Sequence, residues 1–182
     1  MTLYGKAALC QFIDLEADAE VTDLCERPLV VPGLRPRKAV DFWALCGGVP
    51  TLYVLIRPST RREESSWTIA YEQFLRWAAE NGAAVVEKNP ADFDEHRIRY
   101  DNWSMILQHV ISHRGQLTDH VFDLCDEAIA ETVTLGTIEN GMGDLDAMLV
   151  RAAVFSLLMR GSLKCAAIDT SPINGRTELA RV

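Results

Sequence analysis

The sequence predicts an α/β chain of two modules, a small mixed-sheet domain over residues 1–95 and a mostly helical domain over 96–182. Three observations predict it. Strand-forming runs and helical periodicities alternate through the first hundred residues, and after Asp101 almost no strand signal survives until the last twenty. Between them lies a polar stretch with a helix breaker, Asn89-Pro90-Ala91-Asp92-Phe93-Asp94-Glu95-His96. With 182 residues and 48% hydrophobic composition, the chain can fill one sizeable core or two small ones of about 80 to 100 residues.

Ala8, Phe12 and Leu15 recur at helical spacing and predict a helix over 7–18, closed by Asp18-Ala19-Glu20. Segments 21–24 and 29–31 have strand character and are set off by Pro32-Gly33 and Pro36. Residues 38–46 form a strand ending at Gly47-Gly48, and Thr51-Leu-Tyr-Val-Leu-Ile56 is a β-branched and aromatic run of central-strand length. Two strands joined by a short glycine loop make a hairpin. A helix over 66–81 follows, with Ile69, Phe74, Trp77 and Ala78 on its apolar side and Gly82 as its C-cap. The apolar run 83–87, coming after a helix and a tight turn, is a strand parallel to the one before.

In the second module Trp103, Ile106, Leu107 and Val110 mark a helix over 102–113, interrupted at Gly115. Thr118 caps a helix to 131, Thr134 opens a short one over 135–140, and Asp144 caps a fourth to Arg160 that stops at Gly161. Residues 163–168 and 177–182 are two short strands around Ser171-Pro172-Ile173-Asn174-Gly175. Three helices followed by a two-stranded ribbon is the order of a winged helix-turn-helix.

The charge balance narrows the function classes. Acidic residues outnumber basic ones 26 to 18, a net charge of -8, which argues against a protein that holds nucleic acid by overall charge. A local basic face remains open: Arg27, Arg35, Arg37, Lys38, Arg57, Arg61 and Arg62 fall within one stretch of 36 residues, and arginine forks suit phosphate. No apolar run approaches the roughly 18 residues of a bilayer span, and the first residues lack a signal-peptide pattern, so a cytoplasmic protein without membrane contact is expected. Cys10, Cys25, Cys46, Cys125 and Cys165 contain no C-x-x-C pair and read as five buried thiols in a reducing compartment.

The chemistry-bearing pattern of the first module is Val40-Asp41-Phe42, followed after the hairpin turn by Tyr53-Val-Leu-Ile-Arg57. Adjacent strands that present acids and a base at their ends can hold a divalent metal on oxygen ligands, with a lysine near the attacking water. That is the geometry of PD-(D/E)xK nucleases. Together with Asp18-Ala-Glu-Val21 and Glu26-Arg-Pro-Leu29, these motifs resemble the TnsA-like endonuclease subunits of heteromeric transposases. Asn102-Trp-x-x-Ile-Leu and Leu157-Leu-Met-Arg-Gly-Ser-Leu163 resemble that family's winged-helix module, so the likeness covers nearly the whole chain. It implies a restriction-endonuclease-like domain followed by a winged-helix-like one, with DNA, a transposase subunit and an AAA+ ATPase regulator as partners.

The departures define the expectation for catalysis. Asp41 matches the metal-binding aspartate, but the next acid falls on Leu55, the catalytic lysine on Arg57, and the first-helix glutamate near Ala7 or Ala8. A register shifted by several residues would bring in Glu16 or Glu20 instead. One carboxylate does not hold Mg2+ with useful affinity, and arginine does not release its proton near neutral pH. The resemblance therefore implies a non-catalytic subunit with Asp41 as a remnant, no cofactor, and Arg35, Arg37, Lys38, Arg57, Arg61 and Arg62 on the DNA backbone. Asp41 is otherwise a strand-end acid paired with Arg37 or Arg57. The alternatives are an active endonuclease using Mg2+ at Asp41, and an adaptor or regulator without DNA contact.

In the second module His109, His113 and His120 suggest a metal face, but Gly115 breaks the helix before a third ligand, which favours a polar histidine face. The helix 144–160 is the expected recognition helix, with Arg151 as its DNA contact. It is apolar nearly all round, however, which predicts a buried helix or one pressed on a partner.

Overall fold

Gly47 and Gly48, at φ 54° and 80°, supply the two positive-φ residues that a two-residue hairpin turn needs. They join β2 (Phe42–Cys46) to β3 (Val49–Leu55), with Phe42 opposite Tyr53 and Cys46 opposite Val49. This computed structural model describes residues 3, 5–34, 37–56, 65–129 and 131–182, and the chain divides into two compact units, Met1–Glu95 and His96–Val182.

The hairpin is the centre of a four-stranded mixed sheet in the first unit. β1 (Val21–Glu26) pairs antiparallel with β2, and β4 (Ala84–Lys88) pairs parallel with β3, giving the order β1-β2-β3-β4. Helix α1 (Lys6–Glu16) precedes β1, and α2 (Ser65–Glu80) makes the crossover between β3 and β4. Helix α2 ends where Gly82 adopts φ 69°, which lets the Ala83 N–H return to the Ala78 carbonyl at 2.9 Å.

The period-two alternation of the strands divides the side chains between two cores. Leu52, Val54 and Ile56 pack with Trp67, Tyr71, Phe74 and Ala78 of α2. Phe42 and Ala44 pack with Leu15 and Phe12 of α1 on the other face. Each large side chain buried this fully stabilises the unit by about 1.5–3 kcal/mol. The segment expected as a strand over 29–31 makes only an isolated bridge, Val30 to Ala39, because Pro32-Gly33 turns the chain at once. For the same reason β2 starts at Phe42 rather than at residue 38.

The second unit surrounds one apolar helix. After a 3-10 helix, Pro90–His96, come α3 (Arg97–His113), α4 (Asp119–Glu127), β5 (Thr132–Thr134), α5 (Leu135–Gly141), α6 (Ala147–Met159), β6 (Leu163–Lys164) and β7 (Glu178–Arg181). Helices α3, α4 and α5 pack around α6, and every residue of α6 from Val150 to Leu158 except Arg151 is buried. Strand β7 lies between β5 and β6, antiparallel to both.

Two side chains hold the long β6–β7 connection and the ribbon. Asn102, 4% exposed, donates to the carbonyls of Ile168 (2.7 Å) and Ser171 (2.8 Å) and accepts from the Ile173 N–H (3.0 Å). Arg181 donates to the Ile129 and Asp126 carbonyls, both at 2.6 Å, at the end of α4. Helix α6 opens at Asp146, whose carboxylate accepts from the Met148 and Leu149 N–H groups, two residues later than the sequence suggests. No helix among the described residues is long and apolar enough to cross a membrane.

Candidate functional site

Asp41 is the last residue before β2, and its backbone is fixed on both sides. Its N–H donates to the Tyr53 carbonyl and its carbonyl accepts from the Arg27 N–H, each at 2.9 Å. The carboxylate therefore stands at a defined end of the sheet, beside Glu26, which faces Phe42 across the β1–β2 pair. One carboxylate oxygen, Oδ2, accepts two hydrogen bonds, from the Leu55 N–H at 2.7 Å and from Lys38 Nζ at 2.8 Å. Both partners of this ion pair are about three-quarters buried, with side chains 28% and 22% exposed.

A cleft of about 330 Å³ opens there, lined by Glu26, Arg27, Arg37, Lys38 and Asp41 together with Leu3, Ala8, Ala39 and Phe42. Ala8, which with Ala7 is where the resemblance expects a glutamate, is on α1 and lines the cleft. Glu16 and Glu20 are not on this cleft. They lie towards the opposite end of the sheet, where Val21 pairs with Cys46 and the Gly47 N–H donates to the Glu20 carbonyl at 3.0 Å. Burial raises the Glu16 carboxyl above its ordinary range.

This donor set does not fit a divalent cation. Mg2+ requires a near-octahedral shell of oxygens, usually waters and substrate phosphates with one or two carboxylates free to coordinate it. Here the Asp41 oxygen that faces Leu55 is already shared between an amide and an ammonium. A metal on the same carboxylate would sit within a few ångström of Lys38, where like unit charges about 4 Å apart repel by about 4 kcal/mol, and more for a divalent ion. Among the described residues no group of three or more His, Cys, Asp or Glu is arranged to hold a metal. Tyr53, which runs alongside, is no proton acceptor. Desolvation and its hydrogen bond with Cys46 (3.3 Å) push its hydroxyl far above the ordinary range.

Of the cations expected on DNA, Arg37 is exposed at the cleft and Lys38 is tethered within it. Arg35, Arg57, Arg61 and Arg62 lie outside the described residues. The partner of Asp41 is Lys38 rather than Arg37, because a lysine stem spans three residues of non-helical chain while Arg37 stays in solvent. The i, i+3 spacing of Lys38 and Asp41 was the signal for this pair in the sequence. Both fall in the strand expected over 38–46, where residues three apart point to opposite faces, so the spacing carries little weight until the backbone shows that β2 starts only at Phe42.

In the second unit Arg151 donates from Nε to Glu139 at 2.6 Å, with side chains 24% and 12% exposed, tying α6 to α5. The rings of His109 and His113 stack at 6.2 Å, and His109 meets Phe155 edge-on at 5.7 Å. Desolvation first, then the charges of Arg151 and His113, lower the His109 pKa, against a smaller opposing effect of Glu139. The cysteines are free thiols; Cys10, Cys125 and Cys165 are buried, but Cys25 is exposed because β1 is an edge strand. Burial raises the Cys125 and Cys165 thiols, which disfavours a thiolate nucleophile at either.

A second cleft, of about 440 Å³, lies between residues 29–32 and α2 and is lined by Leu29, Val30, Phe74 and Trp77 among others. Among the described residues no ionisable side chain lines it. The sequence matches no protein-family model and no curated protein.

Proposed function

We propose that this chain is a non-catalytic, TnsA-like subunit that binds DNA ends and protein partners in a transposition or mobile-element complex. Two features of the fold support it. The order helix, three strands, helix, strand, with a mixed sheet between α1 and α2, agrees with a restriction-endonuclease-like first domain. The order α4, α5, α6 followed by the β6–β7 ribbon agrees with a winged-helix-like second domain. A transposase subunit and an AAA+ regulator follow from the resemblance as partners.

The observation that carries the non-catalytic assignment is the state of the Asp41 carboxylate. It is bonded to Lys38 and Leu55, and α1 contributes Ala8 where a second acid is needed. With Leu55 and Arg57 at the remaining positions of the motif, the cleft offers cations suited to a phosphate backbone, and its second carboxylate, Glu26, comes from β1 rather than from the motif. The DNA face comprises Arg37 and Lys38 together with Arg35, Arg57, Arg61 and Arg62. Arg151, expected as a DNA contact on α6, is a partly exposed side chain paired with Glu139, and in this reading it serves the packing of the second unit.

One observation favours a second reading, a metal-dependent endonuclease: Glu26 is a second carboxylate on the same cleft as Asp41. A cleavage and gel-shift assay on linear and supercoiled DNA with Mg2+ or Mn2+ separates the two. Retention of DNA without cleavage is expected for the wild type. Cleavage that disappears in Asp41→Ala establishes the nuclease instead. Charge reversal at Arg57, Arg61 and Arg62 is expected to weaken DNA retention, and unchanged retention removes the proposed face.

A further inference from the structure

We infer that the Asp41 cleft is a metal-independent site for a DNA backbone phosphate, in which the Lys38 ammonium tethered by Asp41 occupies the position a divalent cation would need. The inference rests on the DNA-binding role proposed above and specifies how that site holds its ligand.

Three observations converge on it. First, the ammonium is fixed: Lys38 Nζ lies 2.8 Å from Asp41 Oδ2, and the same oxygen is anchored by the Leu55 N–H at 2.7 Å. A lysine side chain otherwise loses considerable rotamer freedom on binding, so an ammonium already oriented by a buried-side partner is preorganised for an anion. An ammonium has three donors, and Asp41 takes one, which leaves donors for a phosphate oxygen. Second, the cleft carries an excess of cations. Among the described residues, Arg27, Arg37 and Lys38 line it with Glu26 and Asp41, three positive groups and two negative, in a chain whose overall charge is -8. That local excess of cations favours a polyanion here. Third, the other described residues on the cleft, Ala8 and Phe42 among them, are apolar, so among the described residues only the two carboxylates named repel a phosphate.

The chemistry that follows is binding without cleavage. Hydrolysis of a phosphodiester needs a group that lowers the pKa of the attacking water and one that takes charge on the leaving oxygen, which a metal supplies. A lysine held in an ion pair supplies charge and hydrogen bonds only. The consequence is a DNA contact that is insensitive to chelators, unlike that of a metal-dependent nuclease.

The test is fluorescence anisotropy of a labelled DNA duplex with the full chain, in buffer with EDTA and in buffer with Mg2+ at matched ionic strength, joined to Mn2+ uptake followed by electron paramagnetic resonance. Equal affinity in the two buffers is expected, with Lys38→Ala about tenfold weaker in both and the slope of log affinity against log salt reduced by about one. Lys38→Arg keeps the charge and is expected to retain binding, which separates loss of the cation from loss of the fold. Binding that requires Mg2+, Mn2+ uptake that depends on Asp41, or a Lys38→Ala affinity equal to wild type each overturns the inference while the DNA-binding role stands. A wild type that retains no duplex in either buffer overturns both.

Discussion

Two ion pairs in this chain look alike in geometry but stand in different surroundings. Lys38–Asp41 in the first unit is 2.8 Å long and Arg151–Glu139 in the second is 2.6 Å, and all four side chains are mostly buried. The first stands on an open cleft beside Arg27 and Arg37. The second bridges α5 and α6 in a unit whose central helix is buried from Val150 to Leu158 apart from Arg151 itself, with the His109 ring stacked on His113 and packed against Phe155 nearby. On the function proposed above, a cation in the sequence is a ligand contact or a structural bolt according to what surrounds its partner. Both pair a cation with a carboxylate, three residues apart in the first and twelve in the second; the difference proposed here is whether the pair has room for a third, anionic group.

The difference should be largest in stability. Arg151→Ala leaves Glu139 buried without its partner and is expected to lower the stability of the second unit by about 3 kcal/mol in denaturant unfolding. A loss below about 1 kcal/mol would put Arg151 in the same class as a surface cation and break the comparison. Asn102→Ala tests the same unit without charge. It strands two carbonyls and one N–H of the β6–β7 connection, for an expected loss of about 2 kcal/mol. Local hydrogen exchange should rise at Ile168 to Ile173, and protection left intact there argues against Asn102 as the clamp.

On the first unit the same kind of change is expected to cost less. Lys38→Ala exposes Asp41 to solvent at the cleft while its Leu55 hydrogen bond remains, for a loss of about 1 kcal/mol or less by thermal unfolding. The smallest effect is on pH. His109 has its pKa lowered in the folded chain, so the unfolded chain binds the proton more readily. Stability from this residue is complete above its ordinary value near 6.5 and falls as the pH drops below it. The second unit should lose stability between about pH 7 and 5, and His109→Gln should flatten that part of the profile; an unchanged profile would assign the slope to other groups.

The elements whose signals are local were legible in the sequence. The Gly47-Gly48 turn fixes the hairpin register, Thr51–Ile56 has the pattern of a central strand, and Gly82 ends α2. Helix α6 could be read as buried because it is apolar all round. What escaped depended on partners far away in sequence. Strand β5, Thr132–Thr134, is three residues long and has strand form only because it pairs with β7 near the C-terminus. Helix α3 begins at Arg97, not residue 102, since the polar residues before Trp103 look like a linker until Tyr100 is seen to be buried. At the site, Asp41 could be named from its motif, and the vacancy at Ala8 inferred from the resemblance. The tether to Lys38 and the hydrogen bond from Leu55 required the backbone, which alone determines that residues 14 apart in sequence meet at one oxygen.

The most direct test of the central claim, that the first pair contacts DNA and the second does not, is the salt dependence of duplex retention measured on both. Wild type, Lys38→Ala and the double variant Glu139→Gln with Arg151→Gln, which replaces both buried charges together, are compared over a range of salt with folding checked by circular dichroism. The expected result is a slope reduced by about one at Lys38 and unchanged in the double variant. A reduced slope in the double variant with none at Lys38 would contradict it.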